Sequence, residues 1–410
     1  MFKILIFLLS ISFFDSKKNK LINKIDSIIE YSIKEKAFPG AQILVLKDGK
    51  EVLNKNYGYH TYDSVIKVNN NSIYDLASIT KPTAGAIALM KLYENNLLDL
   101  NKPLSNYIKF FNKSKVGDVL IKDYLQHISG IRPWIPFHST TKKDDGQFKR
   151  KTLSFKQKRR YNIKLTNDLY LYNNYKKEIY NQIKKTYFID SDTVLYSGLF
   201  FYLIPEIVKM QTNQSFDEYV ENLFSSMNLD SILFNPTKKI NLETIVPTEN
   251  DNFFRNFQIH GFVHDEGAAM MDGISANAGL FSNASNLSKV YQMFLDNGFI
   301  NDKKYLDKNV INLFTQYNNE NEKFYRGLGF DKPKPVYDID KCTYSKYSSD
   351  LSFGHSGYTG TFFWVDPKYD LIYIFLSNRV YDTRDNRKIY ELNVRTKIHD
   401  LIYENLIEIN

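Results

Sequence analysis

Strand-forming runs sit near both ends of this chain and helical patterns fill its middle, which leaves few ways to build a core. Near the start, AQILVLKDGKEVLNKNYGYH reads as two strands flanking Asp48-Gly49, a dipeptide suited to a tight hairpin turn. Near the end, GTFFWVDPKYDLIYIFLSNRV reads as two more strands, joined by a turn at Asp366-Pro367. The simplest packing is a single antiparallel sheet drawn from both termini. Amphipathic helices are expected to cover it. Leu21, Ile22, Ile25, Ile28, Ile29 and Ile33 recur at helical spacing over residues 19–36, and Ile389, Leu392, Val394, Ile398, Leu401 and Ile402 do so at the far end. The expected class is α+β, with a mainly helical lobe inserted between the two halves of the sheet.

In the middle, DLASITKPTAGAIALMKLYENN predicts a helix from about Ser78 to Asn95. Asn101 to about Lys185 alternates short helical patterns with loops. Tyr196–Leu223 reads as two helices, the first ending near Gln211 and the second capped by Ser215. Residues 276–297 read as a loop and then a helix, with Ser285 as its cap. This pattern places a sheet lobe at residues 17–85 and 270–410 and a helical lobe at 86–269.

Composition removes several classes. With 410 residues, 43% hydrophobic and 15% aromatic, the chain has ample surface to bury and is not disordered. Its single cysteine, Cys342, excludes an internal disulfide and any multi-cysteine metal site. The net charge of +8 is local: residues 142–185 hold 14 Lys/Arg against four acids, so this basic insertion carries +10 and the remainder −2. Such a stretch reads either as a solvated insertion or as a patch for an anionic polymer. No nucleic-acid motif accompanies it, so nucleic acid is not an expected partner. Lys3 precedes the eleven-residue apolar run Ile4–Phe14, too short for the roughly 20 residues of a membrane-spanning helix but matching a secretory leader. Residues 1–16 are therefore expected to be a signal peptide, and the mature chain to be periplasmic or secreted with no stable transmembrane span.

Three short segments carry candidate chemistry. Ser78-Ile79-Thr80-Lys81 puts a hydroxyl and an amine one helical turn apart. Serine needs a neighbour to take its proton, and lysine can do so once burial or nearby positive charge lowers its pKa from about 10.4. A serine at a helix start also presents its backbone N–H to an oxyanion. Tyr196-Ser197-Gly198 supplies a phenol that could relay protons. His355-Ser356-Gly357 precedes the last strand pair, where glycine lets a strand edge approach a ligand closely. His260 and His264, four apart, are read as structural rather than metal-binding, and His127 as a packed residue at a helix end. Cys342 falls in a polar loop.

In this order the three segments resemble the motifs of the serine beta-lactamase and penicillin-binding protein superfamily, in its class C-like branch of DD-peptidases, esterases and beta-lactamase-related hydrolases. The segments YLQHISGI, YSGLFFYLIPEIV, HGFVHDEGAA and ANAGLFSNASNL fit as well, extending the resemblance over residues 20–408. The resemblance implies an acyl-enzyme formed on Ser78, with Lys81 and Tyr196 sharing general-base and general-acid roles. It implies an oxyanion hole from the backbone N–H groups of Ser78 and Tyr358, and substrate contacts from His355, Ser356 and Gly357. No metal and no cofactor are implied. Gly198 departs from the Asn or Asp usual at the third position of the middle motif, which weakens the beta-lactamase reading most. His355 stands where many relatives carry lysine, and would make the local charge depend on pH near 6.5. Asn277, in ANAGLF, is expected at the site wall.

The expected function is that of an exported serine hydrolase cleaving an amide or ester in a small-molecule or peptide substrate, with D-alanyl cell-wall peptides, and so peptidoglycan, first. An esterase or beta-lactamase using the same site is the alternative. So is a non-catalytic cell-wall-binding protein that retains the fold.

Overall fold

The computed structural model describes residues 17–191, 193–317 and 325–407; the expected leader, residues 1–16, lies outside the described residues. Five strands form the main sheet: β1 (Gly40–Lys47), β2 (Lys50–Gly58), β3 (Phe353–Ser356), β4 (Phe362–Asp366) and β5 (Leu371–Ser377). They are antiparallel in the order β3-β4-β5-β1-β2. The β1–β5 seam joins the two ends of the chain, with Ala41 opposite Ser377 and Lys47 opposite Leu371. Asp48 and Gly49 both take positive φ, 51° and 66°, as the hairpin signal requires.

Alternation along the strands divides the apolar side chains between two cores. Ile43, Val45, Trp364, Tyr373 and Phe375 face the N-terminal helix, through Leu21, Ile25 and Ile29, and the helix Val394–Leu406, through Ile398 and Ile402. Leu44, Val365, Ile372 and Ile374 face the opposite way, into a larger core that runs on into the middle of the chain through Ile87, Leu89, Phe200 and Leu203. The α+β class and the sheet built from both termini are therefore present.

Several local expectations change. The segment expected as one helix over 78–95 comprises a 3₁₀ turn (Ala77–Ile79), a π turn (Lys81–Ala86) and an α-helix (Ile87–Glu94). Pro82 has no N–H to give the ladder there, and the wider turn accommodates it. The Asn101–Lys185 region contains a three-stranded antiparallel sheet of Leu153–Ser154, Tyr161–Lys164 and Tyr170–Tyr172. Leu153 and Leu171 anchor it to the larger core, while Lys156, Lys158, Arg159 and Arg160 are exposed. Strands of two to four residues show no periodicity, so lysine-rich sequence hid them. Asn283, not Ser285, caps the helix Ala284–Leu295 by accepting from Asn286 N. Ser215 does cap Phe216–Ser225, in a reciprocal box with Glu218. The last helical pattern breaks at Asn393, whose φ is 50°. Cys342, expected in a polar loop, is buried in the smaller core with its thiol against the Tyr344 hydroxyl.

Gly354 lets β3 lie flat on β4, because a Cβ there would stand 2.2 Å from the Phe363 carbonyl oxygen and 2.3 Å from the Trp364 ring. Gly354→Ala is expected to destabilise the protein by about 1–3 kcal/mol, as overpacked cores do, read as a lower urea midpoint with unchanged slope.

Candidate active site

Ser78 is presented by a strained turn. Ala77 has φ 47°, an uncommon conformation for a residue with a side chain, and its N–H is held by Asp75 Oδ1 at 2.8 Å. Asp75 is buried, and its Oδ2 accepts from His264 N at 2.6 Å. The turn between β3 and β4 is stitched to the same place: the Thr359 hydroxyl donates to the Asp75 carbonyl at 2.8 Å and the Thr361 hydroxyl to the Leu76 carbonyl at 3.0 Å. Gly357 passes so close that a Cβ would meet Leu76 O at 2.6 Å. The tertiary fold thus lays the His355–Tyr358 segment beside Ser78.

Lys81 is 1% exposed, and its Nζ bridges two oxygens, Ser78 Oγ at 2.9 Å and the Asn277 carbonyl at 3.0 Å. Its cation lies 5.3 Å from the centre of the Tyr196 ring and 5.5 Å from that of Phe201. Tyr196, 39% exposed, does not open a long helix as expected. It lies in a connecting segment pinned from both sides: Leu195 N donates to His127 O at 2.9 Å, Ser197 N to His127 Nδ1 at 3.2 Å and Gly198 N to Pro133 O at 3.2 Å. Ordinary helix begins only at Ile204.

Around the Tyr196 ring stand His355, expected in the same site, and two groups that sequence alone did not connect with it, His127 and Arg326. The His127 ring is 4.6 Å away, that of His355 5.9 Å, and the Arg326 guanidinium carbon 5.7 Å. Arg326 is ion-paired with Asp331, while its Nε and Nη2 are buried with no hydrogen-bond partner among the described residues. His355 Nδ1 donates to the Ser356 carbonyl at 2.7 Å, which leaves Nε2 as an acceptor. Burial pushes His355 down to about 4, with Arg326 and Lys81 adding to the effect against the opposing pull of Asp331. This corrects the expectation of a charge switch near pH 6.5: the ring is neutral at pH 7 because it is buried beside cations. Burial likewise pushes His127 well below its ordinary value.

Two clefts meet at Ser78, Tyr196 and Tyr358. One, of about 380 Å³, is cationic: Arg326, Lys332, Lys334 and Lys341 line it against the single carboxylate of Asp331. The other, of about 420 Å³, is balanced: Lys81 and Arg384 against Asp265 and Glu266, with Trp134, Gly198 and Asn277 in its wall. Tyr358 is 48% exposed at the junction, its ring between His264 at 5.6 Å and Arg379 at 4.4 Å. Neither Tyr358 N–H nor Ser78 N–H finds an acceptor among the described residues. His260 is satisfied by the Ile245 carbonyl at 2.7 Å and His264 Nε2 by Glu249 at 2.8 Å.

The Beta-lactamase family model matches residues 25–396, and the chain belongs to that family. It is a serine hydrolase. It is 29% identical over 403 residues to an N-acetylmuramyl-L-alanine amidase of Bacillus subtilis (strain 168), covering 91% of this chain and 85% of that protein. It is 29% identical over 407 residues to a putative D-alanyl-D-alanine carboxypeptidase of Salmonella enteritidis PT4 (strain P125109), covering 92% and 86%. Among solved structures, a class C beta lactamase from Rhodobacter sphaeroides superposes with a TM-score of 0.64 at 16% identity, covering 93% of this chain and 99% of that one. That likeness shows a shared fold. No helix among the described residues is long and apolar enough to cross a membrane.

Arg384 walls the balanced cleft by binding Glu249 and Glu266 through Nη2, at 2.7 and 2.8 Å. Burial alone would raise the buried Glu249, but hydrogen bonds from His264 and Arg384 hold it down at about 2. A carboxylate depressed on folding stabilises above its unfolded pKa, about 4.3, and that contribution is lost as pH falls toward 2. Glu249→Gln is expected to cost about 3–5 kcal/mol at pH 7, since it leaves Arg384 partly unpaired. The gap from wild type, measured by urea unfolding, should narrow as pH drops below about 4.3.

Proposed function

We propose that Ser78 is the nucleophile of an acyl-enzyme hydrolase that cleaves an amide bond in cell-wall peptides, with D-alanyl peptides as the leading substrate class. The observation that carries this reading is the buried Lys81 amine bonded to Ser78 Oγ, with the phenol of Tyr196 closing the same cleft. Ser78 Oγ attacks the carbonyl carbon while its proton passes to the Lys81–Tyr196 pair. The pair accepts it when holding one proton fewer than ammonium plus phenol, as Lys81 amine with Tyr196 phenol or as Lys81 ammonium with Tyr196 phenolate. The carbonyl oxygen, now negative, is held by the free N–H groups of Ser78 and Tyr358. Collapse breaks the C–N bond, and the leaving amine takes the proton. Water then attacks the Ser78 ester, and the acid departs as the serine hydroxyl is restored. His355, Ser356 and Gly357 form the strand edge along which the substrate backbone lies.

The cationic cleft supports a substrate whose leaving half ends in a carboxylate, as a D-alanyl peptide does. The amidase name of the Bacillus subtilis relative favours a second bond, the amide that links a muramyl group to L-alanine. Substrates of either kind lie outside the cytoplasmic membrane, and the chain is proposed to act in the periplasm or as a secreted protein.

Intact-mass detection tests the mechanism. Wild-type protein incubated with a fluorophosphonate or a penicillin should gain one covalent adduct, and Ser78→Ala should gain none. Ser78→Ala should also lose at least about 10³-fold in kcat on a D-alanyl-D-alanine peptide or a muramyl-L-alanine amide, whichever the wild type cleaves. A folded wild-type protein that takes no adduct and cleaves neither peptide defeats the reading. The pH dependence is a separate check. With His355 near 4, kcat/KM should show no inflection near 6.5 from this ring, and a limb at 6.5 that disappears in His355→Gln would contradict its buried, neutral state.

A further inference from the structure

We infer that Asn277 is a substrate-positioning residue of this site: its side-chain Oδ1 accepts an N–H from the acyl half of the substrate, in space that Gly198 leaves open. The inference rests on Ser78 acting as nucleophile, as proposed above.

The amide orientation is fixed by its neighbours. Tyr202 is fully buried, and burial together with Asp265 pushes its hydroxyl well above the ordinary value, so it keeps its proton. That proton goes to Asp265 Oδ1 at 2.6 Å, leaving the Tyr202 oxygen able only to accept. Asp265 is itself an acceptor, and its Oδ1 also caps the helix Glu266–Met270 through Ala268 N. Both neighbours of the Asn277 side chain therefore demand a donor. Asn277 Nδ2 fills both demands, at 3.0 Å to Tyr202 and 3.3 Å to Asp265 Oδ2. Its Oδ1 is turned the other way, toward Gly198, and accepts no hydrogen bond among the described residues.

Glycine at 198 is what makes this possible. A Cβ there would stand 2.3 Å from Oδ1 and 3.2 Å from Cγ of Asn277. The two residues share the wall of the balanced cleft with Ser78 and Lys81. Through its backbone carbonyl the same residue also accepts from Lys81 Nζ, which keeps the Asn277 backbone beside the reacting groups. A presented acceptor with no donor of its own selects a ligand that brings one, and the amide N–H of the residue that carries the scissile carbonyl is the group a peptide offers. Gly198 thus does not strip the site of a polar group, because the polar group arrives from a distant loop.

The test compares two activated esters that differ at one atom, the p-nitrophenyl esters of acetylglycine and of its N-methyl counterpart, acetylsarcosine. Wild type should prefer the N–H ester by about tenfold or more in kcat/KM, and Asn277→Ala should reduce the preference to about threefold or less. Gly198→Ala keeps Asn277 but drives a methyl group onto Oδ1, and should lose the preference in the same way. The ratio is the readout because a general loss of structure lowers both rates and leaves it unmoved. A wild type labelled at Ser78 that shows no preference, or a wild-type preference kept in whichever variant folds, overturns the inference alone. Failure of Ser78 to label, with neither ester cleaved, takes the preceding reading down as well.

Discussion

The β1–β5 seam is the contact from which the rest of the molecule follows. It pairs residues near the start of the chain with residues near its end, over seven registered positions from Ala41–Ser377 to Lys47–Leu371. Closing so long a loop costs entropy that grows only slowly with length, and the seam recovers it by burying both faces of its strands. With the seam formed, β4 and β3 add to the outer side of β5, and the turn between them lies over the segment that carries Ser78. The hydroxyls of Thr359 and Thr361, bonded to the carbonyls of Asp75 and Leu76, hold that overlap. Motifs separated by most of the sequence become neighbours through one strand pairing and two side-chain hydrogen bonds.

The cleft is built at some expense to stability. Ala77 is held at positive φ, Lys81 is a buried cation, and Arg326 has two buried nitrogens with no hydrogen-bond partner among the described residues. Each of these costs free energy that a protein under selection for stability alone would shed. They are tolerated because the surroundings over-determine them: Asp75 pins Ala77, Asn277 and Ser78 share the Lys81 ammonium, and Asp331 pairs Arg326. A group of cations around one phenol and one hydroxyl is an arrangement suited to negative charge that develops and then disappears.

The two clefts divide the labour of recognition. In the first, Arg326 is paired with Asp331 and Lys341 with Asp338, and Lys332 and Lys334 add the positive charge that suits an anionic end group. In the second, two cations face two carboxylates, and Asn277, Trp134 and Gly198 contribute neutral wall between them. Arg384 lines that cleft as a cation but is spent on Glu249 and Glu266. Charge counted along the chain and charge presented to a ligand are different quantities.

What the sequence by itself determined is what depends on local period and local chemistry. The Asp48-Gly49 hairpin, the two strands around Asp366-Pro367, the Ser215 cap and the Ser78–Lys81 spacing are all written within a few residues of one another. The sheet of both termini was legible too, since strands found only at the ends have no partners but each other. The small sheet within the basic insertion was not, because two- to four-residue strands carry no period and take their stability from Leu153 and Leu171 packing elsewhere. Nor was the neutral state of His355, which burial decides. Gly198 taken alone looked like a missing amide; Asn277 was expected at the site wall, but only the fold sets its side-chain oxygen against Gly198. Proximity between residues far apart in sequence is a property of packing, and hydrogen-bond partners and protonation states follow from it.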